Sequence, residues 1–74
     1  RKAVVKFNGG NSADYLKDLT VGSLYHAHLP EGGEFDNDGL AVRYDDEVWI
    51  VADDAGEEVI CRISDGFEIV WSEK

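Results

Sequence analysis

Four groups of residues in this chain are of types and spacings that could do chemistry. The first is Glu34-Phe35-Asp36-Asn37-Asp38-Gly39, which places acids at relative positions 1, 3 and 5 and Gly at 6, with Asp45 at position 12. A calcium loop alternates oxygen ligands around a Gly turn in this way and closes with a bidentate acid. Here Glu opens the run, Asp45 is shorter than the usual closing Glu, and the flanks have the pattern of strands instead of helices. The expectation is a solvated acidic loop, with any calcium held weakly and no dedicated metal site. The second group is His26 and His28, which on a strand share one face about 7 Å apart. A third metal ligand is not indicated. The pair is expected to face solvent, with neighbouring acids favouring the protonated form near pH 6.

The third candidate is Cys61, the only cysteine. It falls on the alternating apolar side of its segment, which suits a small buried hydrophobe. A nucleophile needs a lowered pKa, whereas acidic surroundings raise it. The fourth is the paired carboxylates Asp45-Asp46 and Asp53-Asp54. Glycosidase chemistry needs two carboxyls facing each other across a cleft, and a chain of 74 residues has little room for one. A nucleophile elbow, a phosphate-binding Gly loop and a dinucleotide fingerprint are all absent from the sequence. The expectation is a protein that is not an enzyme, with no catalytic residue and no cofactor.

The elements that would position these groups follow a period of two, the period of strands. Ala3–Phe7 puts Val5 and Phe7 on one face, and Asn8-Gly9-Gly10-Asn11 ends it as a turn. Residues 12–19 suit one short helical turn with Ser12 as its N-cap. In the segment 23–29, Tyr25, Ala27 and Leu29 share a face, opposite Leu24, His26 and His28. Pro30-Glu31-Gly32-Gly33-Glu34 breaks the pattern. Leu40, Val42 and Tyr44 then alternate. Asp45-Asp46 turns into Val48–Ala52, where Val48 and Ile50 oppose Trp49 and Val51. Asp53-Asp54-Ala55-Gly56 has the pattern of a hairpin turn with Gly at the left-handed position. Val59, Cys61 and Ile63 alternate next, and Phe67, Ile69 and Trp71 form the last strand. Short strands at spacings near ten residues imply an all-β domain, a small barrel or an orthogonal sandwich, over residues 1–74.

Composition narrows the functions open to such a domain. The net charge is −9, from 16 acids against 7 Lys and Arg. Direct contact with nucleic acid or an anionic membrane is disfavoured, because each phosphate contact normally needs a base. No apolar run is long enough to span a bilayer. A lone thiol suits a reducing compartment, hence the cytoplasm. The acidity is local. Residues 31–58 hold eleven acids and one base, Arg43, so this stretch carries −10 and the remainder +1.

Certain motifs also form a familiar series: Val5-x-Phe7-x-Gly9, Tyr15-Leu16, Leu19-Thr20-x-Gly22-x-x-Tyr25, Asp53-Asp54-x-Gly56-Glu57-Glu58 and a closing Phe67-Glu68-Ile69-Val70. This series resembles the small SH3-like barrel proteins of bacteriophages and prophages. The resemblance runs through most of the chain and departs at residues 30–44, where a long acidic loop replaces a short connection. It implies an SH3-like barrel of five or six short antiparallel strands, with at most one helical turn near residues 12–19, and the cytoplasm of a bacterial host. It carries over no catalytic residue. Tyrosine-rich peptide-binding motifs are absent, so binding of proline-rich ligands is not implied.

The function expected on these grounds is a protein-interaction module. Its acidic segment would dock on a basic surface of a host protein through Glu34, Asp36, Asp38, Asp45, Asp46, Glu47, Asp53, Asp54, Glu57 and Glu58, with Trp49 as an aromatic anchor. In a sharper form, the carboxylates mimic a nucleic acid and block the basic groove that binds it. The alternative is a structural or self-associating β protein, virion-associated or homo-oligomeric, that uses exposed aromatics and free strand edges.

Overall fold

Alternation of apolar and polar side chains fixes most of the elements, because a strand with one face in a core must alternate. The structure is a computed structural model, and it describes residues 1–10, 13–30, 35–37, 40–42 and 46–73. Seven strands follow in chain order: β1 (Lys2–Phe7), β2 (Leu24–His28), β3 (Phe35–Asn37), β4 (Leu40–Val42), β5 (Glu47–Ile50), β6 (Val59–Arg62) and β7 (Phe67–Ser72). Two single 3₁₀ turns, Asp14–Leu16 and Ile63–Asp65, are the helical elements among the described residues. The first falls within the segment expected to turn. Ala13 precedes it in extended conformation, and Ser12, expected as its cap, lies outside the described residues.

Five strands form one antiparallel sheet in the order β6-β5-β2-β1-β7. The chain is therefore all-β, and β7 returns to pair with β1 in the strand order of an SH3-like barrel. β3 and β4 form a separate two-stranded sheet, with Phe35 opposite Val42 and Asn37 opposite Leu40. Strand β3 corrects the expectation of a long loop between residues 30 and 44. Tyr44 lies outside the described residues.

One face of the large sheet carries the core: Ala3, Val5 and Phe7 from β1, Tyr25 and Ala27 from β2, Val48 and Ile50 from β5, Cys61 from β6 and Phe67 from β7. Leu16, Leu19 and Leu29 close it from the connections. Each large side chain buried this way contributes about 1.5–3 kcal/mol. The Phe7 and Phe67 rings lie 5.1 Å apart across the β1–β7 pair.

Two positions depart from simple alternation. Trp49 points away from Val48 and Ile50, yet it is only 2% exposed. Its ring lies 5.0 Å from that of His28, its register partner on β2, and β4 contacts β5. Strand β5 is therefore buried along Val48-Trp49-Ile50, and Trp49 offers no surface to a partner, contrary to the anchor role expected of it. The second departure is in β7. Val5 pairs with Ile69 and Val4 with Trp71, so Val70 is an extra residue, a β-bulge. The bulge reverses the alternation. Phe67 and Ile69 stand opposite the inward residues Phe7 and Val5, whereas Trp71 stands opposite the outward Val4 and is 54% exposed.

The first and last strands meet at a glycine crossing. Gly66 ends the second 3₁₀ turn with φ of +109°, a region L side chains rarely adopt. A Cβ on Gly66 would overlap the Gly9 carbonyl, and Asn8 N–H donates to the Gly66 carbonyl at 2.6 Å. Gly56 also has positive φ, but a Cβ there meets nothing within 4 Å. Gly56→Ala is therefore expected to cost about 1–2 kcal/mol, the backbone strain alone. Gly66→Ala adds a clash with backbone and should leave most of the chain unfolded, given a typical stability of about 5 kcal/mol for a domain of this size. Equilibrium denaturation of the two variants side by side checks this; equal losses would show that the Gly9–Gly66 approach imposes no constraint.

Candidate functional site

Among the described residues, the acids expected to dock a partner do not form one continuous face. Hairpin β5–β6 separates them, with Glu47 opposite Arg62 near its open end and Ile50 opposite Val59 near its turn. Asp46 and Glu47 sit at the open end, and Asp53, Asp54, Glu57 and Glu58 sit at the turn. Glu34, Asp38 and Asp45 lie outside the described residues. Asp36 is placed by backbone register alone, opposite Ala41.

Several of these carboxylates are engaged within the fold. The Asp53 Oδ1 accepts the N–H groups of Ala55 and Glu57, each at 2.9 Å, and Gly56 N–H donates to the Asp53 carbonyl at 3.0 Å. This is an Asx-type closure of the turn, the usual reason for Asp at such a position. Asp54 reaches across to a different loop. Its Oδ2 accepts the Thr20 hydroxyl at 2.6 Å and its Oδ1 accepts the Tyr25 hydroxyl at 2.9 Å. The Tyr25 oxygen in turn accepts Thr20 N–H at 2.7 Å, and Asp54 N–H donates to the Asp18 carbonyl at 2.9 Å. Asp46 pairs with the Arg62 guanidinium at 3.3 Å, where both side chains are about half exposed. A pair so exposed contributes about 0–1 kcal/mol. Glu57 and Glu58 are exposed and Glu47 is half-buried.

One acid that pattern reading passes over is the most structural. Asp65 is 5% exposed. Its Oδ2 accepts Arg62 N–H at 2.8 Å, capping the 3₁₀ turn at Ile63–Asp65. The same oxygen accepts the Tyr15 hydroxyl at 2.8 Å and so ties the two 3₁₀ turns together. That hydrogen bond, then partial burial and the negative charge of Asp65, hold the Tyr15 phenol above its usual range. The sequence signal was an acid three residues past Arg62, just before a turn glycine; its partner Tyr15 is 50 residues away.

The other sequence candidates resolve separately. Cys61 is buried, and desolvation, then the charges of Asp65 and Asp53, push its thiol up to about 12. It is a core residue with no nucleophilic character at neutral pH. His26 is exposed, whereas His28 is half-buried against Trp49. Desolvation, then the charges of the amino terminus and Lys2, lower the His28 pKa, with Glu73 opposing. The expected favouring of the charged form is thus reversed at His28. Among the described residues, no group of three or more His, Cys, Asp or Glu is placed to hold a metal ion. The only part of the calcium-loop pattern described is the β3–β4 pair; Glu34, Asp38, Gly39 and Asp45 are not. No helix among the described residues is long and apolar enough to cross a membrane.

Comparison with protein-family models, with curated proteins and with solved structures finds no match.

Two outcomes follow from this geometry. Asp54→Ala leaves the Tyr25 and Thr20 hydroxyls without their acceptor and should cost about 1–2 kcal/mol. Glu58→Ala, at an exposed carboxylate, should stay within about 0.5 kcal/mol of the parent. Chemical denaturation measures both, and equal effects would refute a structural role for Asp54. The second outcome concerns pH. His28 has a folded-state pKa below its ordinary 6.5, so the unfolded chain takes up the proton first as pH falls. The contribution is present above about 6.5 and is lost as pH falls through that value toward the folded pKa. His28→Gln should flatten the stability profile in that window, and an unchanged slope would contradict the assignment.

Proposed function

We propose that this chain is a non-catalytic protein-interaction module that docks on a basic surface of another protein. The observation that carries this reading is the segregation of charge, −10 on residues 31–58 and +1 on the rest. Solubility asks for a net charge of about 2–8 in magnitude in a small domain, but not for its concentration in one stretch. A local excess of one sign steers an oppositely charged partner and raises its rate of encounter. The fold supports the reading by placing Asp46 and Glu47 at the open end of the β5–β6 hairpin and the exposed Glu57 and Glu58 at its turn. Carboxylates held on a rigid hairpin are what a nucleic-acid mimic requires, and a basic groove that binds nucleic acid is the sharper form of the partner. The resemblance to phage SH3-like barrels would make that partner a protein of a bacterial host, met in its cytoplasm.

The acids suited to contact are those the fold does not consume. Glu57 and Glu58 at the hairpin turn are exposed and accept none of the side-chain hydrogen bonds that close it. They are the positions at which charge can be reversed without disturbing the domain.

Affinity capture from a bacterial lysate at low salt, with the parent chain and with Glu57→Lys/Glu58→Lys, tests the proposal. Basic proteins should be retained by the parent, released as salt rises, and lost or strongly reduced with the reversed pair. If the bound protein binds nucleic acid, the parent chain should compete with that nucleic acid for it. Retention of no basic protein, or a bound set indifferent to charge reversal, would sink the reading.

A further inference from the structure

Strand β7 is the end of the large sheet, and β1 is its one ladder partner among the described residues. Ile69, Val70 and Trp71 follow one another along it and are 44%, 45% and 54% exposed. Natural sheet edges are usually protected by Lys, Arg or Pro, by brevity or by a bulge. β7 runs for six residues without Lys, Arg or Pro, and the bulge at Val70 is its one blunting device.

Backbone direction along this edge follows from one hydrogen bond. Asn8 N–H donates to the Gly66 carbonyl, so that carbonyl faces β1, while Gly66 N–H donates to the Ile63 carbonyl within the 3₁₀ turn. Backbone groups alternate in direction along an antiparallel strand. Glu68 therefore faces β1 as well, and the N–H and C=O of Ile69 face away from the sheet, a donor and an acceptor ready for another strand. The bulge then turns Trp71 to the outer face, so the edge presents Ile69 on one side and Trp71 on the other.

Charge indicates what would pair there. Glu68 and Glu73 bracket the apolar stretch, on a chain of net charge −9. Among the described residues, the bases Lys2 and Lys6 belong to β1, one strand further from the edge, with Lys6 opposite Glu68. Glu73 accepts Lys2 backbone N–H at 2.9 Å and Glu68 accepts Asn8 Nδ2 at 3.4 Å, so both carboxylates are held beside the strand. We propose that the free edge of β7 receives an extended segment of the partner, apolar at its centre and bearing Lys or Arg toward its ends, which adds as a sixth strand of the sheet. Main-chain hydrogen bonds at Ile69 would hold it, contact with Ile69 and Trp71 would select its apolar side chains, and Glu68 and Glu73 would meet its bases. The proposal rests on the reading of a basic partner and adds, beside the turn that carries Glu57 and Glu58, a second surface for that partner.

The probe is a short peptide of alternating lysine and valine with blocked ends, titrated into the full chain at physiological salt. Binding should shift the Ile69 amide resonance and slow its hydrogen exchange. It should also protect Trp71 from acrylamide quenching, with buried Trp49 as the internal reference. Ile69→Lys should weaken binding about tenfold or more, since like charges placed opposite one another on neighbouring strands destabilise the pair. Glu57→Lys/Glu58→Lys should change it by no more than about twofold, because those acids lie on another hairpin and distant charges are screened. A peptide with proline at its centre should not bind. The proposal is overturned if the parent does not bind the peptide, even where capture still retains a basic protein and the function stands. It is equally overturned if the proline peptide binds as well as the original, which would leave charge alone at work. A concentration-dependent dimer without peptide, abolished by Ile69→Lys, would assign the edge to a second copy instead.

Discussion

The close approach of Gly66 to Gly9 is the constraint on which the remaining geometry depends. Two chain segments far apart in sequence pass so near each other that Gly66 has no room for a side chain against the Gly9 backbone. The Asn8–Gly66 hydrogen bond closes the crossing and starts the β1–β7 ladder. Everything on that side of the sheet follows in register. Phe67 meets Phe7, Glu68 meets Lys6, and Ile69 meets Val5. The second 3₁₀ turn exists because β6 must reach this point, and Asp65 caps it from within the core. A small domain with no disulfide has few ways to hold its last strand on its first. Here the join is made of backbone hydrogen bonds, a left-handed glycine and one buried carboxylate.

That arrangement changes the meaning of the acidic composition. A count of charges treats every carboxylate as surface. The fold spends Asp65 on a cap, Asp53 on closing a turn and Asp54 on tying the β5–β6 hairpin to the loop at Thr20 and Tyr25. These acids are structural although their sequence neighbours Glu57 and Glu58 are not. The difference is geometric. Asp is short enough to reach backbone N–H groups in a turn, which is why turns favour it. The two Glu side chains are longer and remain exposed. The distinction between Asp and Glu within one acidic run was present in the sequence, but the long-range partners Thr20, Tyr25 and Tyr15 were not.

Strand faces were legible wherever one face is buried and the other wet. Val5 and Phe7, then Tyr25, Ala27 and Leu29, then Cys61 all fall where alternation puts them, and the positive φ of Gly56 matches its turn. Alternation fails at two places for different reasons. Trp49 lies on the outer face but is covered there, and a period of two cannot show a second burial surface. Trp71 is displaced by a bulge, and one extra residue leaves no mark in composition or spacing. The acidic stretch after Pro30 hid β3, whose three residues are too few for a period to emerge, whereas Leu40 and Val42 of β4 showed theirs.

The two tryptophans together show how this fold divides its apolar surface. Trp49 stands beside His28, with β4 next to its strand, and has become interior. Trp71 could have joined the inward series of Phe67 and Ile69, which would have enlarged the modest core that a domain of this length has. The bulge turns it outward, where it stands opposite Val4 and half exposed. Burying a side chain of this size would contribute a few kcal/mol, a large share of the stability such a domain usually has. The bulge forgoes that gain. An edge strand that gives up burial and keeps three apolar side chains in water is easier to account for by a partner strand than by the stability of the isolated chain.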